Sequence, residues 1–161
     1  SRTYLQKEDV AGYIKNLIDK YQIPMELFQL EITETTENAE SLSYINSLKQ
    51  AGFTLLMDDF GSGYSSLCML KNTPFDVLKM DRQFLDECLD SKQGKTIISH
   101  VISMSNDLGL SIIAEGVENR GTADFLYDNG CSVSQGFYFS KPVPIPEFEH
   151  MLDEQQTEQQ R

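Results

Sequence analysis

Apolar positions along the chain alternate between two spacings. Val10, Ile14, Leu17, Ile18 and Tyr21 recur at the interval of an amphipathic helix, closed by Pro24. Leu27–Ile32 follows as a short apolar strand. Ala39, Leu42, Ile45, Leu48 and Ala51 predict a second helix, ended by Gly52. Phe53–Asp58 reads as a strand, Ser65–Leu70 as a short helix that stops before Pro74, and Phe75–Met80 as another strand. Ile97, Ile98, Val101, Ile102, Ser105 and Leu108 mark a long helix, stopped by Gly109. Ser111–Ala114 is a fourth strand, Ala123–Tyr127 falls in a helix ended by Gly130, Val133 opens a last strand, and Ile145–Leu152 begins a final helix. The polar tail, residues 154–161, is expected to be frayed or disordered.

Five strands alternating with helices imply a parallel sheet with helical crossovers. Neither a GxGxxG nor a P-loop fingerprint occurs, so a nucleotide-binding doubly wound fold lacks its signature. The expected fold is α/β, a TIM-like (β/α) barrel. A full barrel takes eight units and about 250 residues. The chain is therefore expected to be truncated at its N-terminus to about five units, with roughly 90 residues lying upstream. Residues 1–153 are expected to form the folded part.

Composition narrows the chemistry. The chain has 161 residues, 40% of them hydrophobic, and a formal net charge of −12. A charge of that sign repels DNA and RNA polymers, while leaving room for a small anion whose contacts are mediated by cations. No run is apolar and long enough to span a membrane, and no signal peptide is expected. Cys68, Cys88 and Cys131 are odd in number and lack metal-ligand or CxxC spacing, which suits reduced thiols in a reducing compartment. His100 and His150 lie in helical patterns without a ligand partner in sequence.

Polar side chains stand at the C-terminal end of every predicted strand. In Leu30-Glu31-Ile32-Thr33, Glu31 lies on the face opposite the apolar pair, where a barrel interior would make an uncompensated carboxylate costly. Asp58 and Asp59 end the next strand; for both to reach one site the backbone must turn just after Asp58, and Gly61 and Gly63 supply a turn. Lys79 sits between Leu78 and Met80, Glu115 ends Ser111–Ala114, and Gln135 follows Val133. Barrel enzymes keep their chemistry at this end of the sheet. Acidic oxygens suit Mg²⁺ or Mn²⁺. Two such ions about 3.5–4 Å apart would hold both the entering and the leaving oxygen of a phosphodiester. A single-metal enolisation site with Lys79 as base is the competing chemistry.

The motifs LEITET (Leu30–Thr35), DDFGSGYSSL (Asp58–Leu67), LKMDRQFL (Leu78–Leu85), IIAEGVEN (Ile112–Asn119) and SQGFYFSKP (Ser134–Pro142) together resemble the EAL family, phosphodiesterases that cleave cyclic di-GMP. The resemblance implies a TIM-like barrel and metal-dependent hydrolysis of cyclic di-GMP to pGpG, with residues 1–153 as the C-terminal part of such a domain. It implies that Glu31, Asp58 and Asp59 are ligands of Mg²⁺ or Mn²⁺, with Asp58 bridging two ions. Lys79 is similar to the lysine that orients the attacking water or offsets charge, Glu115 to the general-base carboxylate, and Gln135 to the amide that completes the site. Phe60, Gly61, Ser62 and Gly63 resemble a loop that tunes the second ion and communicates with a dimer interface, anchored by Glu34. Glu118 matches a further family glutamate, for which a structural role competes with a chemical one, and Asp81 falls in the lysine motif. The name-giving Glu-Ala-Leu tripeptide is absent, and the family's asparagine ligand is expected to lie just before Ser1. A phosphodiesterase parent is therefore expected, with this chain itself inactive; the alternative is a non-catalytic cyclic di-GMP receptor. The family context also implies self-association or a homodimer, upstream GGDEF or sensor domains, and a bacterial cytoplasmic location with tethering to a membrane through other segments.

Overall fold

Five parallel strands pair in the order in which the chain makes them, as in the wall of a TIM-like barrel and without a topological switch point. A computed structural model describes residues 10–33, 39–62 and 66–159. Helix α1 (Val10–Tyr21) leads through a 3₁₀ turn (Met25–Leu27) into β1 (Gln29–Thr33). Then come α2 (Ala39–Gln50), β2 (Thr54–Phe60), α3 (Ser66–Asn72), β3 (Val77–Met80), α4 (Arg82–Leu89), α5 (Lys92–Asp107), β4 (Ser111–Ala114), α6 (Arg120–Asp128), β5 (Val133–Ser134) and α7 (Ile145–Gln159). No helix among the described residues is long and apolar enough to cross a membrane.

Register decides which side chains meet. Glu31 pairs with Leu56, Leu56 with Val77, Lys79 with Ile113, and Ile113 with Val133. Side chains two apart on a strand share a face. Stepping by two from these pairs puts Glu31, Asp58, Lys79, Glu115 and Gln135 on one face, at the C-terminal rim. The ladder continues past β4 and β5, since Glu115 N donates to Met80 O (3.1 Å) and Gln135 N to Ala114 O (2.8 Å).

The opposite face makes the core. Leu55, Met57, Leu78, Met80, Ile112 and Ala114 pack against Ile45 and Leu48 of α2, Ile98 and Ile102 of α5 and Leu126 of α6. Each fully buried aliphatic side chain there contributes roughly 1.5–3 kcal/mol relative to exposure. At the other end of the sheet, Asp76 ties three strands. Its Oδ2 accepts from Leu55 N (2.9 Å), its backbone joins Leu55 O and Ser111 N, and Lys49 at the end of α2 pairs with its carboxylate. The rim thus stands on a sheet whose register is pinned from below.

The structure corrects the expected alternation between β3 and β4, where two helices stand instead of one. Asp81 caps α4 by accepting from Gln83 N (2.8 Å) and Phe84 N (3.3 Å), and Leu85 is buried at 2% exposure. Eight residues are too few to display a helical period, so the cap was the only local signal. The strand expected from Leu27 starts at Gln29, because Leu27 closes the 3₁₀ turn with its amide on Pro24 O. Helix α7 runs on to Gln159, through most of the polar tail expected to be frayed, and a His150–Glu154 pair one turn apart spans the junction.

Candidate active site

Lys79 is the centre of the rim. Its ammonium donates to Glu31 Oε1 of β1 (2.5 Å) and Asp58 Oδ1 of β2 (2.8 Å), and pairs with Glu115 Oε1 just beyond β4 (2.7 Å). The Lys79 side chain is 9% exposed and Asp58 and Glu115 are mostly covered, whereas Glu31 is 53% exposed, so the enclosed cation meets solvent chiefly through Glu31. Gln135 Nε2 donates to the same Glu115 oxygen (2.7 Å), fixing that carboxylate from a second side. Four strand ends and the turn after β4 therefore converge through side chains far apart in sequence. Burial pushes the Lys79 ammonium toward deprotonation, but its hydrogen bonds to Asp58, Glu115 and Glu31 outweigh that and hold its pKa well above the ordinary lysine value. Three carboxylates around it favour the charged ammonium, which has no lone pair to offer, and this argues against Lys79 as an enolising base.

Asp59 resolves the problem of two consecutive carboxylates. The β2–β3 register shifts between Met57 and Phe60, and Asp59 itself takes a left-handed φ of 58°. The turn expected just after Asp58 is thus begun by Asp59 itself, two residues before Gly61, and by a residue type that tolerates this region. Its carboxyl pKa is raised, by burial first and then by the charges of Asp58 and Asp81, with Lys79 opposing. An acid whose pKa rises on folding opposes folding above its unfolded pKa, and that opposition fades as pH falls through the folded value. Asp59→Asn removes the charge and keeps a left-handed-tolerant residue. The expected result is a melting temperature higher by about 2 °C near pH 7, with the gain shrinking in acid, as calorimetry at the two pH values would read.

Phe60 ends β2 with its ring buried, Gly61 has φ 100°, and Ser62 N donates to Asp59 O (3.1 Å). Glu34 and Gly63 lie outside the described residues. Asp81 serves as the α4 cap, and Glu118 pairs with Arg82 (2.7 Å). Arg82 and Phe84 were not singled out in the sequence; an arginine and an aromatic ring directly after a helix-capping aspartate were the available signal. A cleft of about 510 Å³ adjoins the cluster at Gln135, with Arg82, Glu118, Phe137 and Phe148 among its walls.

Oxygen donors of the right type for a hard divalent cation are present, but the described residues hold no group of three His, Cys, Asp or Glu side chains able to bind an ion unaided. Glu31 and Asp58 converge on one ammonium from adjacent strands, so they fit as part of a ligand set rather than the whole of one.

Comparison with known proteins places these features in context. The sequence profile of the family described as EAL domain matches residues 1–142. The signaling protein YkoW of Bacillus subtilis is 38% identical over 161 residues, covering 98% of this chain and 20% of that protein. The cyclic di-GMP phosphodiesterase RocR of Pseudomonas aeruginosa is 37% identical over 147 residues, covering 89% of this chain and 37% of RocR. Among solved structures, BlrP1 of Klebsiella pneumoniae in complex with manganese and cyclic di-GMP superposes with a TM-score of 0.80 at 29% identity, covering 87% of this chain and 36% of that one. The chain thus spans well under half the length of these relatives.

Proposed function

The chain belongs to the EAL domain family, and from that premise we propose that its rim forms part of a site where cyclic di-GMP is hydrolysed to pGpG with a divalent cation, Mg²⁺ or Mn²⁺. The observation that carries the reading is the Lys79 cluster: one enclosed ammonium held by Glu31, Asp58 and Glu115, with Gln135 on Glu115. RocR, by its name, and BlrP1, by its bound ligand, support the substrate, and the manganese in BlrP1 supports the cation.

Glu31, Asp58 and Asp59 would hold the cation together with ligands from elsewhere in the protein. Bound there, it supplies positive charge to the phosphodiester and makes the attacking water more acidic. The other roles fall to groups already in place. Lys79 holds a fixed positive charge beside the carboxylates and offsets the negative charge that develops on attack. Glu115, oriented by Lys79 and Gln135, has an acceptor oxygen poised to take the proton of a water. The adjoining cleft has the volume of a small-ligand site.

The test is direct. Full-length protein incubated with Mn²⁺ and cyclic di-GMP should yield pGpG on nucleotide separation, and chelation of the cation should stop it. Chain 1–161 alone is expected to yield little, because its described residues hold no complete ligand set. Tight binding of cyclic di-GMP by the full-length protein with no pGpG formed would replace this reading with that of a receptor.

A further inference from the structure

Helix α4 reaches both acidic loops of the rim, one with each of two side chains from its first turn. Phe84 stands edge-on to Phe60, with ring centroids 6.1 Å apart and planes at 90°. The same ring covers Gly61 so closely that a Cβ there would lie 2.5 Å from it. Phe60 and Gly61 directly follow Asp58 and Asp59. On the other side, the aliphatic stem of Arg82 crosses Gly116, where a Cβ would lie 2.4 Å from it and where φ is 68°. Beyond that crossing the Arg82 guanidinium pairs with Glu118 (2.7 Å), and its Nε meets Asp86 (3.3 Å). Gly116 directly follows Glu115. The helix is fixed between them: Asp81 caps it, Asp81 N donates to Phe60 O (3.2 Å), and Leu85 is buried. Lys79 lies two residues before the cap.

We infer that Arg82 and Phe84 are positioning residues, a two-armed brace that sets the Asp58–Asp59 turn and the Glu115 turn at their distances from Lys79. This deepens the phosphodiesterase reading of the same rim and rests on it for the catalytic consequence. Neither side chain touches the carboxylates it serves. The Arg82–Glu118 pair is about half exposed on both sides, so as an ion pair it adds little to global stability. Its geometric effect is local, because both contacts are made on glycines, where the backbone itself is gripped and no side chain intervenes. Groups that hold catalytic or ligand side chains in place typically contribute about 10–100-fold to activity or metal affinity when lost.

The two arms predict separable defects in the full-length protein. Arg82→Ala should lower kcat for cyclic di-GMP about 10–100-fold with KM little changed. Amide exchange should quicken at residues 115–118 and stay unchanged at 59–62. Phe84→Ala should do the reverse: quicker exchange at 59–62, and Mn²⁺ binding, measured with Mn²⁺ alone by calorimetry, weaker by about tenfold. Phe84→Leu, which keeps an apolar contact, should recover part of that affinity. The reciprocal exchange R82E with E118R should restore much of the exchange protection lost in Arg82→Ala. Equal loosening of both loops by either variant, or a fall in melting temperature without local change, would mean a helix that merely stabilises the fold and would overturn the brace. Should the parent protein show no turnover, the phosphodiesterase reading fails, while exchange and Mn²⁺ binding still decide on the brace.

Discussion

Lys79→Met is expected to melt earlier in cation-free buffer and to lose turnover by about 10²–10³-fold. The ammonium is enclosed and serves three carboxylates at once. Breaking a fully buried pair costs about 3–5 kcal/mol. Here the carboxylates retain contact with solvent, Glu31 most of all, and about 2 kcal/mol is a fairer figure, or a fall of roughly 4–8 °C. The sign is set by charge: without Lys79 the rim brings Glu31, Asp58 and Glu115 together with nothing to offset them. A divalent cation supplies the missing charge, so Mg²⁺ or Mn²⁺ should recover part of the melting temperature of Lys79→Met. Lys79→Arg separates charge from geometry. It should restore stability and leave turnover low, because a planar guanidinium cannot direct its donors at three converging carboxylates as an ammonium does. A Lys79→Met protein that melts no earlier than the parent would show that the lysine does not hold the cluster together.

Most of the site was legible because one rule generated it. Strand residues alternate faces, and Glu31, Asp58, Lys79, Glu115 and Gln135 each lie at the end of an apolar segment. A parallel sheet in chain order then brings them to one rim without further information. The apolar segments themselves were clear, as Phe53–Asp58 became Thr54–Phe60 and Ser111–Ala114 was unchanged. What escaped was local or long-range in ways that periodicity does not encode. Helix α4 is two turns long and begins one residue after a strand, so its only mark was the Asp81 cap. A bend just after Asp58 was expected, but that Asp59 itself would take the left-handed conformation ahead of Gly61 could not be read from a segment rich in glycine. The partner of Glu118 is Arg82, 36 residues earlier and on another element, and only the packing of α4 against the turn after β4 joins them.

Glu115→Gln is the substitution that best separates chemistry from binding. The two side chains are nearly isosteric, and the amide oxygen of glutamine can still accept from Lys79 or Gln135. Lys79 retains Glu31 and Asp58, so the fold should be little affected. What disappears is the carboxylate able to take a proton. If Glu115 is the general base, kcat should fall by about 10²–10⁴-fold, while cyclic di-GMP and Mn²⁺ bind within a fewfold of the parent, as titration calorimetry would show. Asp58→Asn makes the contrast: it removes an oxygen donor of the proposed ligand set, so it should weaken Mn²⁺ binding before it alters anything else. Unchanged turnover in Glu115→Gln would remove Glu115 as the base. Because Lys79 is held as a charged ammonium, the proton acceptor would then have to be a group other than Glu115 and Lys79, and the close hydrogen bond from Gln135 would hold a carboxylate whose service is to Lys79 alone.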